Sequence, residues 1–167
     1  MPHMHSGATG DADTGGRGMR NEKFMEVVRS AKTFEWPTPD YIFQLLDREY
    51  GPFTLDPCAT PENAKTAKFF TQEDNGLSRS WAGERVFMNP PYGRSMGEWM
   101  RKASSGEAYT VCLVPARTDT KWWHTYVGDG RTWLADEVRF WKGRIQFGDS
   151  ETNAPFPSVI IVFKAKP

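Results

Sequence analysis

Arg85-Val86-Phe87-Met88-Asn89-Pro90-Pro91-Tyr92 is the stretch on which the reading of this chain turns. The apolar run predicts a buried strand over 85–88, and it stops at Asn89 because consecutive prolines cannot continue a central ladder. In open α/β sheets, ligands collect beyond the carboxyl ends of the strands. The residues that follow Met88 are therefore the first place to look for chemistry.

Upstream, Trp36-Pro37-Thr38-Pro39-Asp40 forces an extended entry, and a helix opening at 38–39 carries Ile42, Phe43, Leu45 and Leu46 until Gly51-Pro52. A strand is predicted over 53–56, a helical start over 60–65 and a second short strand over 68–71. Downstream come a helix over 96–103, a strongly apolar strand over 109–114, a helix over 120–126, and strands over 137–142 and 159–163 joined by a long Gly- and Pro-containing loop. Strands alternating with helices, then a closing strand pair, predict an α/β fold: a doubly wound, mostly parallel sheet with an antiparallel edge strand.

The chain has 167 residues, which suits one domain, expected over 21–167, with no room for a second. Residues 1–20 are polar and almost free of large side chains, so a disordered leader is expected there, with His3 and His5 incidental. Phe24, Val27, Val28 and Ala31 have helical spacing and predict a short helix over 21–32. Lys plus Arg equals Asp plus Glu at 21 each. That balance excludes an overall basic field, so any nucleic-acid contact must be local. Basic residues modestly outnumber acidic ones from Arg85 onward. Two cysteines, Cys58 and Cys112, exclude a disulfide scaffold. No apolar run approaches the ~20 residues of a bilayer span, and the start of the chain lacks the apolar core of a signal peptide, so a soluble, cytoplasmic protein without membrane contact is expected. His124 has no second ligand at metal spacing, and no metal is expected.

An exocyclic amine conjugated to an aromatic ring is a poor nucleophile, because its lone pair is delocalised. The side-chain oxygen of Asn89 and the carbonyl of Pro90 offer two acceptors that would localise that lone pair toward an electrophile. Asn89 and Pro90 each precede a proline, which stiffens the turn and holds those acceptors in place. Pro91 completes it, and Tyr92 supplies a flat ring on which a flipped-out base could stack.

Asn89-Pro90-Pro91-Tyr92 resembles the catalytic motif of amino-methyltransferases. A wider set resembles the phage-type DNA adenine-N6 methyltransferases: Trp36-Pro37-Thr38-Pro39, Leu55-Asp56-Pro57-Cys58-Ala59-Thr60, Glu62-Asn63-Ala64-Lys65, Asp74-Asn75-Gly76-Leu77, Trp81, Pro115-Ala116-Arg117-Thr118-Asp119-Thr120, Gly143-Arg144 and Pro155-Phe156-Pro157-Ser158. The resemblance covers nearly everything after Phe34. It implies a Rossmann-like methyltransferase fold, S-adenosylmethionine as cofactor and adenine in DNA as acceptor. It also implies that Asp56 meets the amino end of the cofactor, with Pro57, Cys58 and Ala59 as the adjoining turn, Thr38 and Pro39 on the cofactor side, and Asp74 reaching the cofactor's adenine. One departure stands out: Cys58-Ala59-Thr60 replaces the usual Gly-x-Gly turn.

With no separate recognition domain, readout falls to loops. The stretches 117–123 and 142–158 mix basic and aromatic residues, and Arg117, Thr118, Lys121, Lys142 and Arg144 are the candidates for DNA contact. Trp99, Trp122 and Trp123 read better as core aromatics than as base platforms. Two other readings stay open on the residues alone: the same acceptors serving cytosine N4 or a protein glutamine, and a binding module that has lost its cofactor.

Overall fold

The entry segment shows why the first helix starts where it does. In the computed structural model, which describes residues 36–167, Pro39 holds extended backbone (φ −59°, ψ 143°) and its carbonyl accepts from the N–H groups of Ile42 and Phe43, both at 3.1 Å. Helix α1 then runs Asp40–Tyr50, with Asp40 in its first turn and Arg48 in its last, each at the end where the helix dipole favours its charge. Ile42, Leu46 and Tyr50, spaced by four, form the buried stripe. The leader expected over 1–20 and the helix expected over 21–32 lie outside the described residues.

Six strands follow: β1 Leu55–Asp56, β2 Lys68–Phe69, β3 Arg85–Met88, β4 Tyr109–Pro115, β5 Glu137–Phe140 and β6 Ser158–Phe163, with helix α2, Met96–Ala103, between β3 and β4. They form one sheet in the order β2-β1-β3-β4-β6-β5. β2, β1, β3 and β4 are mutually parallel, while β6 runs antiparallel to both β4 and β5. The mostly parallel sheet with an antiparallel edge is as expected.

Alternation along the strands sends side chains to two faces. Val86, Met88, Cys112, Val114, Val159 and Ile161 pack on one side with Met96, Trp99 and Met100 of α2. Phe87, Val111, Leu113, Ile160 and Val162 pack on the other with Ile42 and Leu46 of α1. Strands covered on both faces are nearly continuous in apolar residues, which explains why β4 and β6 lack an apolar/polar alternation. Trp99 and Trp123 are buried and Trp122 packs against the same core, as read.

Some expected elements changed form. Instead of a helical start over 60–65 there is a hydrogen-bonded turn: Ala64 N–H donates to the Thr60 carbonyl at 2.9 Å, and Asn63 Oδ1 accepts from Thr60 N–H at 2.7 Å. The segment cannot continue as a helix because Lys65 N–H is drawn to the Asp56 carboxylate. The expected helix over 120–126 is a wide helical turn centred on Trp123–Val127. Both edge-side strands are shorter than predicted; β1 ends where Pro57, lacking an N–H, cannot extend the ladder.

Candidate active site at the switch point of the sheet

Strand order reverses between β1 and β3: the chain steps outward from β1 to β2 on one side and from β3 to β4 on the other. Such a switch point opens a crevice at the carboxyl ends of the strands. Leu55 pairs with Val86 across this junction, so Asp56 and Asn89 leave neighbouring strands at the same end. The chemically loaded strand ends picked from the sequence are thus side by side.

Asn89 is held on every side. Its Nδ2 donates to the Trp36 carbonyl at 2.6 Å and to Thr38 Oγ1 at 2.8 Å, and its Oδ1 accepts from the Tyr92 hydroxyl at 2.8 Å. A backbone carbonyl can only accept, so the bond to Trp36 sets which way the carboxamide faces. Oδ1 therefore points away from the Trp36-Thr38 segment with one lone pair still available. Pro90 is buried and Pro91 half-buried beside it.

Tyr92 departs from expectation. Its ring is only 7% exposed, set roughly perpendicular to Phe147 (centroids 6.3 Å apart) and Phe156 (5.4 Å). Trp36 packs on the same two phenylalanines at 5.7 and 5.1 Å. Edge-to-face packing of this kind adds to ordinary burial and keeps the Tyr92 ring from being a free platform. Burial also raises the Tyr92 phenol well above its ordinary value, so it remains a donor. Besides Asn89, the Leu113 carbonyl lies within 3.2 Å of that hydroxyl. Trp36, Phe147 and Phe156 were not singled out as site residues, since nothing local marks aromatics 111 and 120 positions apart as neighbours of one ring.

Asp56 is 5% exposed. Its carboxylate accepts from Lys65 N–H at 3.1 Å and more weakly from Cys58 N–H at 3.5 Å. Burial outweighs those bonds and pushes its pKa up to about 6. The Lys65 charge offsets this only in part, because Lys65 Nζ pairs with Asp40 at 2.6 Å. Pro57, Cys58 and Ala59 form the turn after it, pinned by Ala59 N–H donating to the Phe70 carbonyl at 3.0 Å.

Asp74 belongs to the neighbouring turn beyond β2. Its Oδ2 accepts from the N–H and hydroxyl of Thr71, both at 2.9 Å, while Thr71 Oγ1 accepts back from Asp74 N–H at 3.3 Å. This reciprocal cap, with the Thr71 N–H contributing most, lowers the Asp74 pKa. Gly76, two residues on, lies so close to the first turn that an added Cβ would meet the Pro57 carbonyl at 2.0 Å. Backbone clearance at that point requires glycine.

The loop after β4 and the loop from β5 to β6 both emerge at this end of the sheet. They present Arg117, Thr118, Lys121, Lys142 and Arg144, all exposed. The first loop is ordered by Arg117 and Thr118 carbonyls, which accept from Thr120 Oγ1 at 2.7 Å and bond His124 Nε2 at 2.8 Å. Thr38 lies against Asn89, whereas Pro39 caps α1.

Residues 27–164 match the family described as DNA N-6-adenine-methyltransferase (Dam). The chain belongs to this family. The DNA N-6-adenine-methyltransferase of Haemophilus phage HP1 (strain HP1c1) is 29% identical over 140 residues, covering 78% of this chain and 79% of that protein. The DNA N-6-adenine-methyltransferase of Escherichia phage T1 is 35% identical over 91 residues, 52% of this chain and 38% of that protein. The family expected from the motifs is the family found, and its name carries the adenine acceptor that the resemblance implied. Among the described residues of this family member, no helix is long and apolar enough to cross a membrane.

Proposed function

We propose that this chain transfers a methyl group from S-adenosylmethionine to the N6 amine of a flipped-out adenine in DNA, within the cytoplasm, with Asn89-Pro90-Pro91-Tyr92 as the catalytic loop. The observation that carries the reading is the fixed sense of the Asn89 carboxamide, whose oxygen keeps a lone pair for a second donor. One amine hydrogen goes to Asn89 Oδ1 and the other to the Pro90 carbonyl, which turns the nitrogen lone pair toward the methyl donor. The stiff Pro90-Pro91 turn maintains both acceptors before substrate arrives. The Tyr92 hydroxyl, with the Leu113 carbonyl as its other acceptor, can yield ground at Asn89 when the amine arrives.

The buried carboxylate of Asp56, which forms no salt bridge of its own, fits an ammonium group, and Cys58 and Ala59 give the turn beside it small side chains. S-adenosylmethionine, when bound, supplies an electrophilic methyl on a sulfonium. Asp56 would hold the amino end of its methionine part, Pro57, Cys58 and Ala59 would border it, and Pro39 and Asp74 would flank the same crevice. Stacking of the extruded base falls to the half-buried rings of Trp36 and Phe156, with Tyr92 behind them. Arg117, Thr118, Lys121, Lys142 and Arg144 would contact the DNA backbone.

The test is transfer of labelled methyl from S-adenosylmethionine to unmethylated DNA, run beside Asn89→Ala, with product nucleosides identified. N6-methyladenine that disappears in the variant supports the reading. Methyl appearing on cytosine, or on no nucleoside from a folded protein, overturns it.

A further inference from the structure

Asn89 Nδ2 bears two hydrogens, and the entry segment meets both: one goes to the Trp36 carbonyl at 2.6 Å, the other to Thr38 Oγ1 at 2.8 Å. Both acceptors come from a segment about fifty residues upstream, just ahead of α1. Thr38 is 5% exposed, one of few buried polar side chains among the described residues. Burial of a hydroxyl is unfavourable unless it makes a specific bond, and the bond this one makes is to the carboxamide. Gly148 N–H donates to the Pro37 carbonyl at 2.9 Å, and Trp36 packs edge-on against both Phe147 and Phe156, so the segment is itself fixed by the loop that leads into β6.

We propose that Thr38 is a positioning residue for methyl transfer, acting through Asn89: together with the Trp36 carbonyl it clamps Nδ2 and aims Oδ1 at the substrate amine. This rests on reading Asn89 as the acceptor for that amine, and it moves Thr38 from the cofactor side, where the family resemblance set it, to the catalytic side. The chemistry is directional. A hydroxyl acceptor at position 38 completes the pair of acceptors that only an NH2 group can satisfy; without it Nδ2 loses one of its two acceptors, and a part-buried N–H loses its partner.

The experiment compares Thr38→Ser, Thr38→Cys and Thr38→Val in the full chain. Turnover, KM for DNA, the dissociation constant of S-adenosylmethionine by calorimetry, and the Asn89 side-chain amide resonance, assigned by its loss in Asn89→Ala, are measured for each. Serine keeps the hydroxyl, cysteine offers a weaker acceptor of similar size, and valine offers none. The expected order of turnover is threonine close to serine, then cysteine, then valine, with the valine variant down about tenfold to a hundredfold. Cofactor dissociation should change less than about threefold, well inside the roughly tenfold that one lost hydrogen bond gives, and the Asn89 amide resonance should move in the same order. Cysteine carries the comparison should the valine variant unfold. Undiminished turnover in the cysteine and valine variants, or a loss confined to cofactor affinity with the Asn89 resonance unmoved, overturns the proposal. If the wild-type protein transfers no methyl to adenine, the reaction assigned above fails, whereas the amide resonance still reports whether Thr38 holds Asn89.

Discussion

The turn after β3 and the turn after β1 leave adjacent strands of the same sheet, yet they are prepared in opposite ways. At Asn89 each polar atom already has a partner, and the carboxamide is locked in one sense. At Asp56 a carboxylate is buried with two backbone donors and no ion pair, and its pKa is pushed up to about 6. The first turn is built to act with little rearrangement; the second holds a charge that Lys65 offsets only in part and that a cationic ligand would relieve. Neutral acceptors can be fully organised in advance because they need no counter-charge, whereas a buried carboxylate reaches its best state only with one.

Removing the organised acceptor should have the largest effect. Asn89→Ala deletes one of two groups that act most strongly in the transition state, and the expected loss in turnover is about 10²–10³-fold. Cofactor affinity, measured by calorimetry, should hardly change, because Asn89 bonds to Trp36, Thr38 and Tyr92 rather than to the Asp56 turn. Equal losses in both would show that the two turns are one unit and erase the contrast.

Asp56→Asn should show the reverse pattern. A neutral amide cannot match the bond of a carboxylate to an ammonium, so cofactor affinity at pH 7.5 should fall by about tenfold to a hundredfold. The unliganded protein should meanwhile gain stability. An aspartate raised from its ordinary 3.8 to about 6 favours the folded state in its neutral form. That contribution is fully present below the ordinary value and is lost as pH rises through about 6, amounting to about 3 kcal/mol at most. Urea unfolding of wild type and variant between pH 4 and 8 should therefore diverge as pH rises, with the variant the more stable at the alkaline end. In the wild type, cofactor binding should weaken as pH falls below about 6. Parallel stability curves would mean that Asp56 is not held against its own charge.

The contrast was only partly legible beforehand. Arg85-Val86-Phe87-Met88 followed by prolines marks a strand and its end unambiguously, because apolar character and ladder chemistry change at one residue. The two-face burial follows from the uninterrupted apolar runs of β4 and β6. What binds Asn89 was hidden, since Trp36 and Thr38 are sequence-distant and act through a carbonyl and a hydroxyl that no pattern displays. Tyr92 was expected as an open platform, but Phe147 and Phe156 lie far along the chain in a loop whose return path is set by tertiary packing. The turn over 60–65 was read as helical because local propensity cannot register the pull of the Asp56 carboxylate on Lys65 N–H.

The aromatic cluster behind the first turn provides a smaller test. Phe156 is half-buried and packs on both Trp36 and Tyr92. Phe156→Ala should raise KM for DNA by about tenfold, the lower end of what one base-stacking contact is worth. Phe156→Tyr keeps the ring and should restore most of the affinity. A fall in turnover at unchanged KM would instead assign Phe156 to support of Tyr92.

The basic loops should matter least per residue, and for a different physical reason from either turn. Lys142 and Arg144 are exposed on either side of Gly143, whose φ of 81° lies in the left-handed region. With no net charge on the chain, phosphate contacts must come from such local groups. Lys142→Ala should weaken DNA binding severalfold across all sequences and lower the slope of log affinity against log salt by about one. Turnover at saturating DNA should be untouched, because the acceptors at Asn89 and Pro90 are already in place without it. A salt slope that does not change would remove Lys142 from the DNA surface, while a change in the sequence methylated would make the loop a reader of bases rather than of phosphates.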